Sequence, residues 1–208
     1  MDGVFMQKLI KRVVACALIG ALVWCLGVIG DRKQLNENLI RLHVVANSDS
    51  PEDQAVKLQV RDAVMASLRT AMAQVTDVED AKSYIRENLP KLQKVANYAL
   101  QEAGFSETAV VSFCREAFDT RYYDTFTLPA GVYDALRITI GAGEGHNWWC
   151  VVFPTLCLPA ASEEVSAVAA GAGFSDSLSR ALTGDGDLEL RFFLLDWLGR
   201  MENIFHLE

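Results

Sequence analysis

Hydrophobic and polar positions divide this chain into three textures. The first is an unbroken apolar run. Val13 to Gly30 (VVACALIGALVWCLGVIG) holds no charged residue, and Lys8, Lys11 and Arg12 precede it. Its eighteen residues reach the lower limit for spanning hydrocarbon, about 17–25. They exceed the usual signal-peptide core of roughly 7–15. Basic residues on the N-terminal flank predict that this end stays cytoplasmic. Two readings lead for residues 1–30, a signal peptide cut before Asp31 or an uncleaved anchor through residues 13–30, and a core helix buried all round is the bland alternative. A lipoprotein signal does not fit, because Trp24 stands before Cys25 where a small residue is wanted.

The second texture is helical. A short alternating segment comes first, Asn38 to Asn47 (NLIRLHVVAN). It sets Ile40, Leu42 and Val44 on one face and Arg41 and His43 on the other, which predicts a half-buried strand. Ser50, Pro51 and Asp53 then form a helix start, as N-cap, N1 and N3. Val56, Val60, Val64, Leu68 and Met72 recur at helical spacing, predicting a helix over 51–74. Thr76 with Glu79 resembles a second capping box. Val78, Ala81, Ile85 and Leu89 give a second helix, interrupted near Pro90. Leu92, Val95, Ala96, Ala99 and Leu100 give a third, closed by Gly104.

The third texture is strand-like. Ala109 to Phe118, Phe126 to Leu128, Val132 to Ile140 and Trp148 to Phe153 read as strands. Gly141 to Asn147 (GAGEGHN) joins the last two and predicts a hairpin connection with positive φ at some glycines. Residues 160–186 are small and polar and read as a loop or weak helix. The tail from Leu188 to Phe205 reads as a short strand leading into a helix. Helices clustered before strands indicate an α+β domain: an N-terminal strand, two to three helices, antiparallel strands with a glycine-rich connection, and a C-terminal helix.

Composition narrows the function. The 208 residues are 51% apolar and 22% charged, with net charge −8. Residues 1–30 hold three Lys/Arg against one acid, leaving sixteen against twenty-six, net −10, in residues 31–208. The expected product is an apolar export segment and a soluble acidic domain. Disorder is excluded by apolar content, and nucleic-acid binding by the acidic balance.

Catalytic chemistry is hard to find. The glycine run lacks a following Lys-Ser/Thr and leads into a strand, so it is not a phosphate loop. No HExxH, CxxC, GxSxG or Asp-Thr-Gly motif occurs, and the chain has three histidines, His43, His146 and His206. Asp49, Glu52 and Asp53 could bind a cation, but acids there serve helix capping and the helix dipole. Asp185, Asp187 and Glu189 echo a calcium loop, but Leu190 stands where that loop needs glycine. His146 and Cys150 could be imagined as a thiol dyad, although their spacing carries little weight. The reading is therefore non-enzymatic, with no catalytic residue, metal or cofactor.

Two further features carry information. Cys150 and Cys157 lie seven positions apart across a Phe153-Pro154 turn, which in an exported protein suggests a disulfide. A free reactive thiol and two buried unpaired cysteines are the alternatives, and Cys114 reads as a buried apolar residue. Trp148 and Trp149 must face opposite sides of their strand. Either one is exposed as an anchor for a partner, or both are buried in a sheet covered on both faces.

Ile40 to Gln54 (IRLHVVANSDSPEDQ) resembles the N-terminal signature of the stage II sporulation protein R family. Leu128-Pro129-Ala130-Gly131-Val132-Tyr133, Arg137 to Gly141 and Gly145 to Cys157 (GHNWWCVVFPTLC) resemble its second signature. Thr155 departs from it, standing where a second proline is expected. The resemblance implies a signalling protein of endospore-forming bacteria, made in the forespore and exported into the space between the two membranes. It further implies activation there of a membrane-embedded aspartic protease, stage II sporulation GA, which processes the precursor of sigma factor E. The expected partner surface is Trp148 and Trp149, with Gly141, Gly143, Gly145 and Asn147 of the connection and Asn47 and Asp49 nearby. The competing classes are an exported cell-envelope hydrolase and a structural membrane-anchored envelope module.

Overall fold

The computed structural model describes residues 3–72, 75–123, 126–154, 173–183 and 189–206. The chain opens with a helix of 36 residues, α1 (Gly3–Asn38). Strand β1 (Ile40–Val45) and helices α2 (Pro51–Met72) and α3 (Val78–Glu102) follow. Strands β2 (Ala109–Phe118), β3 (Arg121–Tyr122), β4 (Thr127–Leu128), β5 (Gly131–Ile140) and β6 (Asn147–Phe153) come next, then α4 (Asp176–Thr183) and α5 (Glu189–His206). This is the α+β architecture expected. Cys157, Asp185, Asp187 and most of 160–186 lie outside the described residues.

The main sheet has the order β2-β5-β1-β6. β1 runs parallel to β5 and antiparallel to β6, and β2 is antiparallel to β5. The glycine-rich segment therefore does not close a hairpin, because β5 and β6 are not neighbours. It crosses over the C-terminal end of β1, where Glu144 N–H donates to the Asn47 carbonyl (3.1 Å) and Gly145 N–H to the Ala46 carbonyl (3.0 Å). A sequence reading pairs consecutive strands by default. Here β1 inserts between them.

One face of the sheet carries the larger core. Ile40, Leu42 and Val44 of β1 and Leu136, Ile138 and Ile140 of β5 pack with Val56, Val60, Val64 and Leu68 of α2 and with Ala81, Ile85, Leu92, Ala96 and Leu100 of α3. The α3 stripe keeps helical phase across Pro90, which faces solvent, so one helix runs where an interruption was expected. Losing one hydrogen bond does not undo a face buried along its whole length. The α3 N-cap is Asp77 rather than Thr76: its carboxylate accepts from Glu79 N (2.8 Å) and Asp80 N (3.3 Å). The α2 start is as expected, with Asp53 N–H donating to Ser50 Oγ (3.1 Å).

The other face carries a second core of Val28, Leu35, Leu39, Phe118, Leu128, Tyr133, Val151, Leu178 and Leu195. This changes the reading of β1. Expected to be half-buried, it is buried at all six positions: the Arg41 guanidinium lies against Phe118 and Tyr133, the His43 ring is stacked on Trp149, and α1 and α5 pack on the neighbouring β5. The tail also differs: Leu190 and Phe192 belong to α5, which is helical from Glu189. The helix is held by Leu195, fully buried, and by Gly199, where a Cβ would strike the Ala130 carbonyl. Asp196 completes the seat, accepting from Ala130 N–H (2.8 Å) and from Thr120 Oγ1. Those bonds, with the one from Arg200, hold its carboxyl below the usual range despite burial, the largest single influence, which acts upward.

α1 has two environments and no break at residue 30. Its N-terminal portion is apolar and exposed all round, long enough to cross a membrane. Its last turns belong to the domain. Asp31 is 5% exposed and pairs with Arg191 of α5 (Nε to Oδ2, 2.5 Å), and Arg32 bonds the Leu195 carbonyl (3.0 Å) and Glu202.

Candidate functional site

The Asn47–Asp53 segment and the glycine connection form a single knot. Asn47 occupies its centre. Its Oδ1 accepts from Ala142 N–H (2.9 Å), and its Nδ2 donates to Asp53 Oδ2 (2.9 Å). Ser48 Oγ donates to the same Asp53 oxygen (2.5 Å). These two donors, Ser48 first, hold the Asp53 carboxyl below its ordinary range. Asp49 accepts from His146 through its backbone N–H (2.6 Å) and through Nδ1. The backbone bond is the larger cause of the lowered Asp49 value. Lys57 reaches in from α2 and donates to the His146 carbonyl (2.9 Å), its own value lowered by burial.

The glycines are needed for closeness. Gly141 has φ +54°, and a Cβ there would collide with Asn47 Oδ1. Gly143 has φ +66°, facing Thr139. At Gly145 a Cβ would collide with the Ser48 carbonyl. The connection thus lies directly on the β1–α2 turn.

The two tryptophans part company. Trp148 is 36% exposed and lies under Arg61 of α2, whose guanidinium is 4.2 Å from the ring centroid. Trp149 faces the other side, half-buried, stacked on His43 and set edge-on to Phe118. So Asn47, Asp49, Gly141, Gly143 and Gly145 come together, Asn147 and Trp148 adjoin them at the start of β6, and Trp149 does not. His146 and Cys150 also stay apart: His146 is exposed beside Asp49, whereas Cys150 is buried in the larger core. Cys114 is free and half-buried, its thiol pushed up chiefly by burial. Among the described residues no three His, Cys, Asp or Glu side chains gather as a metal group.

Sequence reasoning missed a charged network behind Trp149. His43 Nδ1 and Arg137 Nη1 both contact Glu116 Oε1 at 2.9 Å. Arg41 is fully buried, its guanidinium 4.1 Å from the Phe118 centroid and bonded to Tyr123 Oη (3.0 Å). The available signal was charge at Arg41 and His43 inside an otherwise apolar strand.

A family model for stage II sporulation protein R matches residues 36–163. The chain belongs to the stage II sporulation protein R family. The matched span takes in β1 through β6 and both halves of the knot, and leaves α4, α5 and most of α1 outside. The chain is 40% identical over 121 residues to stage II sporulation protein R of Bacillus subtilis (strain 168). That alignment covers 58% of this chain and 54% of the relative, so it spans about half the relative's length. No solved structure matches the chain. Within the sporulation protein R family, Arg41, His43, Asn47 and Trp149 all fall in the matched region.

Proposed function

We propose that this protein is an exported sporulation signal. It leaves the forespore across its membrane and activates stage II sporulation GA, the membrane-embedded aspartic protease that processes the precursor of sigma factor E. Family membership carries this reading, together with an apolar helix built into the core of an acidic domain. The domain acts outside the forespore, and α1 takes it there.

Activation requires tighter binding to the active arrangement of the protease than to the inactive one. The contact surface in this reading is Trp148 with the Gly141–Gly145 connection and the Asn47–Asp53 turn. The knot holds that surface in one shape, so little conformational freedom is lost on binding. An exposed aromatic beside a rigid turn is a suitable anchor. Cys150 and Cys157 form a disulfide in the exported protein, fixing the chain that leaves β6.

The test is a minimal reconstitution: export of this chain in cells that also make the protease and the sigma factor precursor. Processing that depends on the exported chain is expected. Absence of processing, with the chain exported and folded, overturns the reading. Thiol labelling under native and reducing conditions checks the bridge, since rapid labelling of both Cys150 and Cys157 without reductant excludes it.

A further inference from the structure

The side of α5 that faces away from the core is apolar. Leu190, Phe193, Trp197, Met201, Ile204 and Phe205 are all exposed, Trp197 by 50%. Steps of three and four along a helix place them in one stripe. A globular helix normally carries polar residues on that side, and a contiguous apolar patch marks a contact surface. Arg200, also exposed, stands beside the stripe, its Nε donating to Asp196 Oδ2 (2.8 Å).

α5 is fastened to the part of α1 where the apolar run ends. A Cβ at Gly27 would lie 3.7 Å from Arg191 Nη2. Asp31 pairs with Arg191, and Arg32 bonds the Leu195 carbonyl and Glu202. Asn36 Nδ2 donates to Glu202 Oε2 (3.3 Å). The second core reaches further down α1, taking in Val28 with Trp24 packed against it.

The level of a membrane on α1 has little slack. The charge-free run from Val13 to Gly30 rises about 27 Å, close to a hydrocarbon thickness of about 30 Å. Sliding the span toward Phe5 would draw Lys8, Lys11 and Arg12 into hydrocarbon, where charge is costly. Gly27 therefore lies at the edge of the hydrocarbon, and Arg32 and the residues after it enter the headgroup layer. α5, held to α1 from Gly27 to Asn36, starts at that same level.

We propose that α5 is an interfacial helix: in the uncleaved chain its apolar stripe lies in the headgroup and upper acyl layer of the leaflet that α1 leaves. The occupant is lipid rather than a protein, because the stripe continues the exposed apolar surface of α1 where that surface meets the headgroups. Its chemistry fits, with tryptophan, phenylalanine and aliphatic side chains on one face and an arginine at its edge. The domain is then held against the membrane by two helices instead of swinging from one. The proposal rests on α1 staying attached and not on which protein is activated, so it holds or fails apart from the signalling role.

The test uses the purified full chain in vesicles of equal parts phosphatidylethanolamine and phosphatidylglycerol. Tryptophan emission is read for the parent and for Trp197→Phe, and the difference isolates Trp197 from Trp24, Trp148 and Trp149. That difference should be blue-shifted, shielded from aqueous acrylamide, and lose most of its intensity when the acyl chains carry bromine near the headgroup end. Bromine at the methyl end should quench it less, as a shallow position requires. Phe193→Gln with Ile204→Gln, both at exposed positions, should restore acrylamide access to Trp197 and cut the quenching by brominated lipid. The same two changes made in the Trp197→Phe chain should leave the remaining emission as it was, which reports an intact fold. Acrylamide access to Trp197 as free as in a short peptide overturns the proposal, and so does indifference to the paired Gln changes. Shielding from acrylamide without quenching by either brominated lipid also overturns it, in favour of a second copy of the chain on the stripe.

Discussion

His43 and Trp149 sit directly opposite each other on β1 and β6, their rings stacked 3.7 Å apart and 18° from parallel. The pair joins two unlike parts of the molecule. His43 continues to Glu116 and Arg137 across the sheet, and Trp149 meets Phe118 and so the second core. Trp148, one residue earlier, has no such role and faces solvent beside Arg61.

The two tryptophans should therefore respond differently to truncation. Trp149→Ala removes a half-buried ring from an aromatic cluster and strips His43 of its stacking partner. A loss of about 3–5 kcal/mol is expected, read from urea unfolding. Trp148→Ala, at a ring 36% exposed, removes less burial together with one cation–π contact, so a smaller loss of about 1–3 kcal/mol is expected. The same Trp148→Ala chain, exported and folded, should fail to trigger processing of the sigma factor precursor. Full processing removes Trp148 from the contact surface.

Much of this arrangement could be read in the sequence, for reasons that differ by element. The α2 start was legible because Ser50, Pro51 and Asp53 are local signals that tertiary structure did not override. Opposite facing of Trp148 and Trp149 follows from strand period alone. The strand order was not legible, because nothing local says that β1 inserts between β5 and β6. For the same reason the glycines read as a hairpin, although their real constraint is the approach of Asn47 and Ser48. Arg41 and His43 read as a wet face because alternation cannot report what will be laid over a strand. The cover comes from rings far along the chain, Phe118 and Tyr133 against Arg41 and Trp149 on His43.

The knot should loosen in acid. Asp53 has a lowered value in the folded protein, so its contribution is fully present above the unfolded value of about 3.9. It is lost as pH falls through the lower folded value. Asp49 acts in the same direction. Asp53→Asn should cost about 1–3 kcal/mol at neutral pH, because Asn47 and Ser48 lose a charged acceptor. The gap between parent and variant should narrow below about pH 4. Urea melts at pH 2–7 measure it, and a gap independent of pH contradicts the assignment.

Gly199 should be intolerant of any side chain. A Cβ there strikes the Ala130 carbonyl, which is backbone in the Pro129–Gly131 turn and cannot swing aside. Gly199→Ala is expected to destabilise by about 1–3 kcal/mol, as overpacking does. The damage should be local. Hydrogen exchange should accelerate across α5 and at Ala130, whose amide is held by Asp196, and leave α2 and α3 protected.

Asp31 and Arg191 make the strongest claim on how α1 joins the domain. Their side chains are 6% and 12% exposed, and Ser175 Oγ donates to the same carboxylate (3.2 Å). Asp31→Asn would leave the Arg191 charge buried without compensation, a loss of about 3–5 kcal/mol. The double change Asp31→Leu with Arg191→Met removes both charges and should restore most of that loss, since an apolar pair of similar size serves as well as a buried ion pair. The ion pair also fixes the direction in which the apolar helix leaves the domain. If the protein signals while anchored, Asp31→Asn should weaken signalling more than its stability loss alone explains, and the double variant should recover stability and signalling together. Recovery of stability without signalling would assign Asp31 or Arg191 a direct role in contacting the partner. Thermal melts of the detergent-solubilised chain, paired with the processing assay, separate these outcomes.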